Sequence, residues 1–167
     1  QGKVETSFSV GEMAVYPSQG VGIIEAIESR EFSGVKSEFY VLRIVDSDMT
    51  IMVPINNVTQ VGLRSLVGKQ EITEIFDVLE EGNGDLGAVA SWSRRQREYN
   101  EKIRSGDPCE VASVLKELYR IRGDKELSYG EKKVLELAKR LLVSEIAHAE
   151  GKAEEAILEK LDNILVN

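Results

Sequence analysis

The apolar residues of this chain keep two different periods, and the change from one to the other falls near Gly68. Such a break dictates two parts with separate cores, because a period of two buries one face of a sheet and a period near 3.6 buries one stripe of a helix. Before Gly68, residues 12–16, 21–30, 36–45 and 50–55 and a shorter run at 58–63 are rich in Val, Ile, Tyr and Phe and read as strands. Pro17-Ser18-Gln19-Gly20, Ser33-Gly34 and Asp46-Ser47-Asp48 lie between them and supply fixed or positive φ for turns. Five strands in so short a segment predict a small, strongly bent antiparallel β-barrel of the SH3 or Tudor type.

After Gly68 the pattern is helical. Ile72, Ile75, Phe76 and Leu79 recur at helical spacing, and the loop Gly82-Asn83-Gly84-Asp85-Leu86-Gly87 follows. Ser91 and Gly106 bracket a second helix that opens on Trp92. Asp107-Pro108-Cys109-Glu110 starts a third, with Pro at its first position, running to about Arg122. Ser128-Tyr129-Gly130-Glu131 is a capping-box start for a fourth, and a fifth follows Gly151. The expected architecture is therefore α+β in two domains: a barrel over residues 1–68, then an all-α bundle of about five helices over residues 69–167.

Composition narrows the function. No apolar run approaches the roughly 20 residues of a membrane helix, and residues 1–7 are short and polar, so neither a membrane span nor a signal peptide is expected. One cysteine, Cys109, cannot close an internal disulfide, and one histidine, His148, cannot build a Cys/His metal site. A reducing, cytoplasmic setting follows. A helix dipole could lower the Cys109 thiol pKa, but no histidine lies nearby in sequence to serve as its base, so it reads as a small packed side chain. His148 reads as a surface or capping residue near a helix end. There is no phosphate loop, dinucleotide fingerprint or nucleophile elbow, so the expectation is a non-enzymatic protein without cofactor or metal.

The densest basic cluster stands directly after the sole tryptophan. Arg94, Arg95, Arg97, Lys102 and Arg104 follow Trp92 in a chain whose formal net charge is -8. A bulky ring beside local positive charge can grip a phosphate backbone and wedge into a groove. Equally, Trp92, Gln96, Tyr99 and Ile103 fall on one helical stripe, which would make the ring core and the arginines a solvated face. Neither half of the chain is basic: six Lys/Arg face eight Asp/Glu through residue 70, and fifteen face twenty-one beyond it. DNA contact would therefore be local and weak without a partner.

Thr50-Ile51-Met52-Val53-Pro54 carries a second signal. Ile51 and Val53 share one face of a strand, Met52 takes the other, and Pro54 lacks the ladder donor, which places the run at a sheet edge. Met52 then either docks a partner or caps the mouth of the barrel.

In combination these runs resemble the bacterial CarD family, including its CdnL-type members. The resemblance rests on Val10-Gly11 with Val15-Tyr16-Pro17 and Gly20-Val21-Gly22, on Met52-Val53-Pro54, on Val-Gly-Leu-Arg at 61–64, on Trp-Ser-Arg-Arg at 92–95 and on Leu-Leu-Val-Ser-Glu at 141–145. It spans nearly the whole chain, and the first part is also similar to the RNA polymerase interacting domain of the transcription-repair coupling factor. The sequence carries neither that factor's ATPase motifs nor the basic tail of longer CarD proteins.

The resemblance implies a transcription regulator that binds the RNA polymerase β subunit and stabilises the promoter open complex; a monomer associated with the nucleoid is the accompanying expectation. It implies a wedge role for Trp92 in the minor groove, with Arg94, Arg95 and Arg97 as basic neighbours and little sequence preference. It also implies a polymerase contact at Arg30, and the edge inferred from Pro54 adds Met52 and Pro54 to the expected contact. Some members carry arginine where this chain has Met52, an apolar anchor in place of a polar one. The rival expectation is a protein-interaction adaptor whose helical half never touches DNA, supported by the acidity and the stripe through Trp92.

Overall fold

The structure, a computed structural model, describes residues 7–81 and 90–166, so the expected loop at 82–87 lies outside the described residues. The chain divides into two units, Gln1–Leu66 and Val67–Asn167. Each has its own core, as the change of period requires.

The first unit is a curled antiparallel sheet of β1 (Met13–Tyr16), β2 (Gly20–Phe32), β3 (Val35–Ile44) and β4 (Thr50–Pro54), in that spatial order. Ser18, Ser33 and Asp48 take positive φ in the three connections, the conformations expected of these turn residues. Tyr40, Leu42 and Ile44 alternate inward on β3 and pack with Ile24 and Val53. Phe8 closes one side, its ring edge-on to Tyr40 at 5.8 Å and its N–H donated to the Tyr40 hydroxyl at 2.9 Å. Gly22 is required for packing, since a Cβ there would lie 2.7 Å from the Leu42 side chain. Between Ile24 and Ala26 the β2–β3 register shifts by a bulge, so Ile24 faces Leu42 while Ala26 faces Val41.

The expected fifth strand at 58–63 does not form. Residues Ile55–Asn57 make a turn of 3-10 helix and α1 spans Val58–Val61, ended by Gly62 at φ 81°. Val58 and Val61 are three apart, so a helical turn sends both toward the core, whereas a strand would point them to opposite faces. The chain then returns along β1: Val15 donates to the Arg64 carbonyl at 2.7 Å and accepts from Arg64 N–H at 3.2 Å. That bridge gives β1 the second neighbour a fifth strand would have supplied.

The second unit contains α2 (Lys69–Glu80), α3 (Trp92–Arg104), α4 (Pro108–Asp124), α5 (Tyr129–Glu150) and α6 (Glu154–Val166). Pro108 occupies the first turn of α4, and the Asp107 carboxylate accepts from Cys109 N–H at 2.9 Å. Ile75, Leu115, Leu118, Leu142, Ile146 and Leu161 fill the core. Buried Glu145 accepts from Val67 N–H at 3.0 Å, fixing where this unit begins. Among the described residues no helix is long and apolar enough to cross a membrane.

Candidate nucleic-acid interface

Helix α3 buries the expected stripe with one exchange. Tyr99 and Ile103 face inward and Trp92 is half-buried against the core, but Gln96 is exposed and Arg95 takes its place, 5% exposed. A guanidinium on a buried stripe must find an acid and acceptors for its donors, because an unpaired charge out of water costs several kcal/mol. Arg95 finds them. Its Nη2 lies 2.7 Å from Glu131 Oε2, its Nε donates to the Ala90 carbonyl at 2.9 Å, and its Nη1 donates to the Tyr99 hydroxyl at 3.4 Å.

Glu131 is itself 4% exposed and serves two partners. It is the acid of the capping box that starts α5: Oε1 accepts from Ser128 N–H at 2.8 Å, while Glu131 N–H donates to Ser128 Oγ at 3.2 Å. Burial pushes its carboxyl upward, but the Ser128 and Arg95 hydrogen bonds outweigh burial and hold the pKa below the ordinary glutamate value. Burial likewise opposes the Arg95 charge, and its bonds to Tyr99 and Glu131 leave the guanidinium pKa raised. The Tyr99 hydroxyl is pushed up, chiefly by burial.

The Trp92 ring lies on this assembly. The Arg95 guanidinium sits 5.4 Å from the ring centroid, Tyr99 packs against it at 6.1 Å, and Gly130 of α5 lies beneath. The ring is thus packed on this assembly yet still partly exposed, neither full core nor a free projection from the helix start. Arg94 stands beside it with 74% of its side chain exposed, 3.6 Å from Glu98, and Arg97 is exposed on the next turn. Arg95 does not belong with them. The family resemblance makes it a phosphate contact, but its burial and its partners make it a structural ion.

The structure adds neighbours that the sequence does not single out. Tyr129 opens α5 next to Gly130, is 76% exposed and has Lys133 Nζ 5.3 Å from its ring centroid. Lys132 and Lys133 are exposed on the same turn. A capping-box reading accounts for Ser128 and Glu131 and says nothing of which residues stand beside Trp92. The one clue in the sequence is Arg95 itself, a cation three residues after Trp92 and four before Tyr99 on the same side of the helix.

In the first unit β4 is a terminal strand, as Pro54 predicts. Ile51 and Val53 pack on the core; Met52 lies opposite Val41, which lies opposite Ala26. Arg30 is four positions farther along β2 on that outer face, about 13 Å along the strand direction. Its side chain is 51% exposed and 3.1 Å from Glu28. Arg30 and Met52 therefore share a face without touching.

Cys109 is partly buried beside the core, and burial, with Asp107, Glu74 and Glu110 nearby, pushes its thiol pKa up. His148 sits in the last turn of α5 with Nδ1 2.7 Å from the Ser144 carbonyl. Among the described residues no group of His, Cys, Asp or Glu could hold a metal ion.

Residues 8–67 match the CarD-like/TRCF RID domain, and residues 74–162 match the CarD C-terminal domain. The chain is 34% identical over 150 residues to the "Putative transcription factor YdeB" of Bacillus subtilis (strain 168), covering 90% of this chain and 97% of the relative. Among solved structures, CdnLNt from Myxococcus xanthus is 49% identical, with a TM-score of 0.33 over 41% of this chain and 97% of that one. The 72-residue N-terminal domain of Myxococcus xanthus CarD is 34% identical, with a TM-score of 0.31 over 39% of this chain and 87% of that one.

Proposed function

The chain belongs to the CarD family, and from that premise we propose that it is a transcription regulator that binds RNA polymerase and stabilises the promoter open complex. The first unit binds the polymerase β subunit through the outer face of its sheet, where Met52 and Pro54 lie on the terminal strand and Arg30 farther out on β2. The second unit carries Trp92 to the minor groove, and Arg94 and Arg97 hold the neighbouring phosphates. Tyr129, Lys132 and Lys133 extend that contact along the start of α5.

One observation carries this reading: the sole tryptophan stands at the start of a helix, held by Gly130 and Arg95 and only partly buried, beside two solvent-facing arginines. A ring so held can enter a base step without leaving its own support. The formal charge of -8 fits a weak DNA contact made effectively intramolecular by attachment to polymerase. The adaptor alternative keeps one support, the packing of Trp92 on the core.

The test is open-complex lifetime after a competitor challenge, with polymerase and promoter DNA. The intact chain should prolong it, and Trp92→Ala should lose most of the gain while still binding polymerase. A Trp92→Ala protein that prolongs the lifetime normally would overturn the wedge and favour the adaptor.

A further inference from the structure

We propose that Gly130, Glu131 and Arg95 form a seat that fixes the pose of Trp92, which makes Gly130 and Glu131 positioning residues for the wedge; the proposal rests on the reading of Trp92 given above. The first support is the fit at Gly130. A Cβ built there would lie 2.9 Å from Trp92 Cζ2, so the ring would have to shift, with tight approaches of 3.1 Å to Nε1 and 3.2 Å to Cε2. The backbone does not ask for glycine at this position. Gly130 lies inside α5 and is not among the glycines with positive φ, so alanine would suit the helix better. The approach of the indole is what excludes a side chain.

The second support is a chain of short contacts from the α5 cap to the ring. Ser128 holds Glu131 Oε1, Glu131 Oε2 holds Arg95, and the Arg95 guanidinium lies over both the Trp92 and Tyr99 rings, at 5.4 and 5.9 Å. The Ala90 carbonyl and the Tyr99 hydroxyl accept from Nε and Nη1, so each guanidinium nitrogen has a partner and its orientation is restricted. The rotamer of Trp92 is thus selected before DNA arrives. A wedge set in advance does not lose side-chain freedom on insertion, and a contact that must separate stacked bases tolerates little error in angle.

Because Trp92 is the sole tryptophan, its emission reports the seat directly. The full chain carrying Gly130→Ala should melt near the wild-type temperature, show altered Trp92 emission and bind polymerase normally. It should lose most of the gain in open-complex lifetime, although the indole is still present. Glu131→Gln, which keeps a capping oxygen but removes the charge that orients Arg95, should change emission and lifetime in the same direction. Unchanged emission in Gly130→Ala would show that the ring does not rest there and would overturn the seat. Altered emission with a normal lifetime would overturn it too, since exposure rather than pose would then suffice. Trp92→Ala run in parallel separates the two readings: if the gain disappears in Trp92→Ala but survives in Gly130→Ala, the seat alone is removed, whereas a gain that survives in Trp92→Ala removes the wedge itself.

Discussion

Arg95 of α3 and Glu131 of α5 form a buried ion pair, Nη2 to Oε2 at 2.7 Å, with 6% and 5% of the two side chains exposed. The pair ties the start of one helix to the start of another at the point where the indole rests. Its net worth against an apolar pair is small or negative, yet removing one member strands the other without solvent.

Arg95→Ala or Glu131→Ala should each destabilise the protein by about 3–5 kcal/mol in chemical denaturation. Glu131→Ala should be the worse of the two by about 1 kcal/mol, because it also removes a helix cap. The double variant Arg95→Met/Glu131→Gln should be clearly less destabilised than the sum of its two single variants, and strict additivity would mean that the pair is not coupled.

Acid should weaken the same joint. The folded pKa of Glu131 is depressed, so its stabilisation is complete above its unfolded pKa of about 4.3 and disappears as pH falls through the lower folded value. Thermal melts should therefore drop on acidification below about pH 4. Glu131→Gln should flatten part of that decline, and an equal slope in both proteins would exclude Glu131 as a source.

Trp92→Ala should cost about 1–3 kcal/mol of stability, below the roughly 3–5 of a fully buried aromatic, because the ring is only partly buried. Arg94→Glu and Arg97→Glu should leave stability within about 0.5 kcal/mol. Each should reduce retention on promoter DNA and lower the salt slope of binding by about 0.9 for each phosphate that is no longer held. Equal DNA retention across a salt series for wild type and both variants would remove them from the interface.

On the sheet, Arg30→Glu and Met52→Ala should each reduce capture of the polymerase β subunit without changing the melting temperature. The exposed Arg30–Glu28 pair contributes little to stability, and Met52 lies outside the buried core. Wild-type capture by both variants would place the polymerase contact elsewhere.

Most of the element order was legible because turn and cap residues mark it: Ser33-Gly34 between β2 and β3, Pro108 at α4, Ser128 and Glu131 at α5. The helical turn at α1 was not, since Val58, Val61 and Leu63 fit a short strand as well as a turn that caps a curled sheet. Trp92, Arg94 and Arg97 could be picked out from composition alone. The burial of Arg95 could not, because it depends on an acid 36 residues away whose local role as a cap already explains its presence. Nor could the neighbourhood of Tyr129, which only the packing of α3 on the α5 start reveals.

The bulge on β2 also governs which length changes the sheet can absorb. Before it, Gly22 and Ile24 face the core side; after it, Ile27 lies opposite buried Tyr40, so the inward parity passes from even to odd numbers and Arg30 is turned outward. Deleting Glu25 would pair Ile24 and Ala26 in ordinary succession, leaving every later residue on its present face. Only the Arg43 ion pair at 2.8 Å and some local twist would go with it. Deleting one residue between Ala26 and Arg30 would instead turn one side of the remaining hairpin over. Loss of a single codon is therefore tolerable at one position of this strand and disruptive a few positions later.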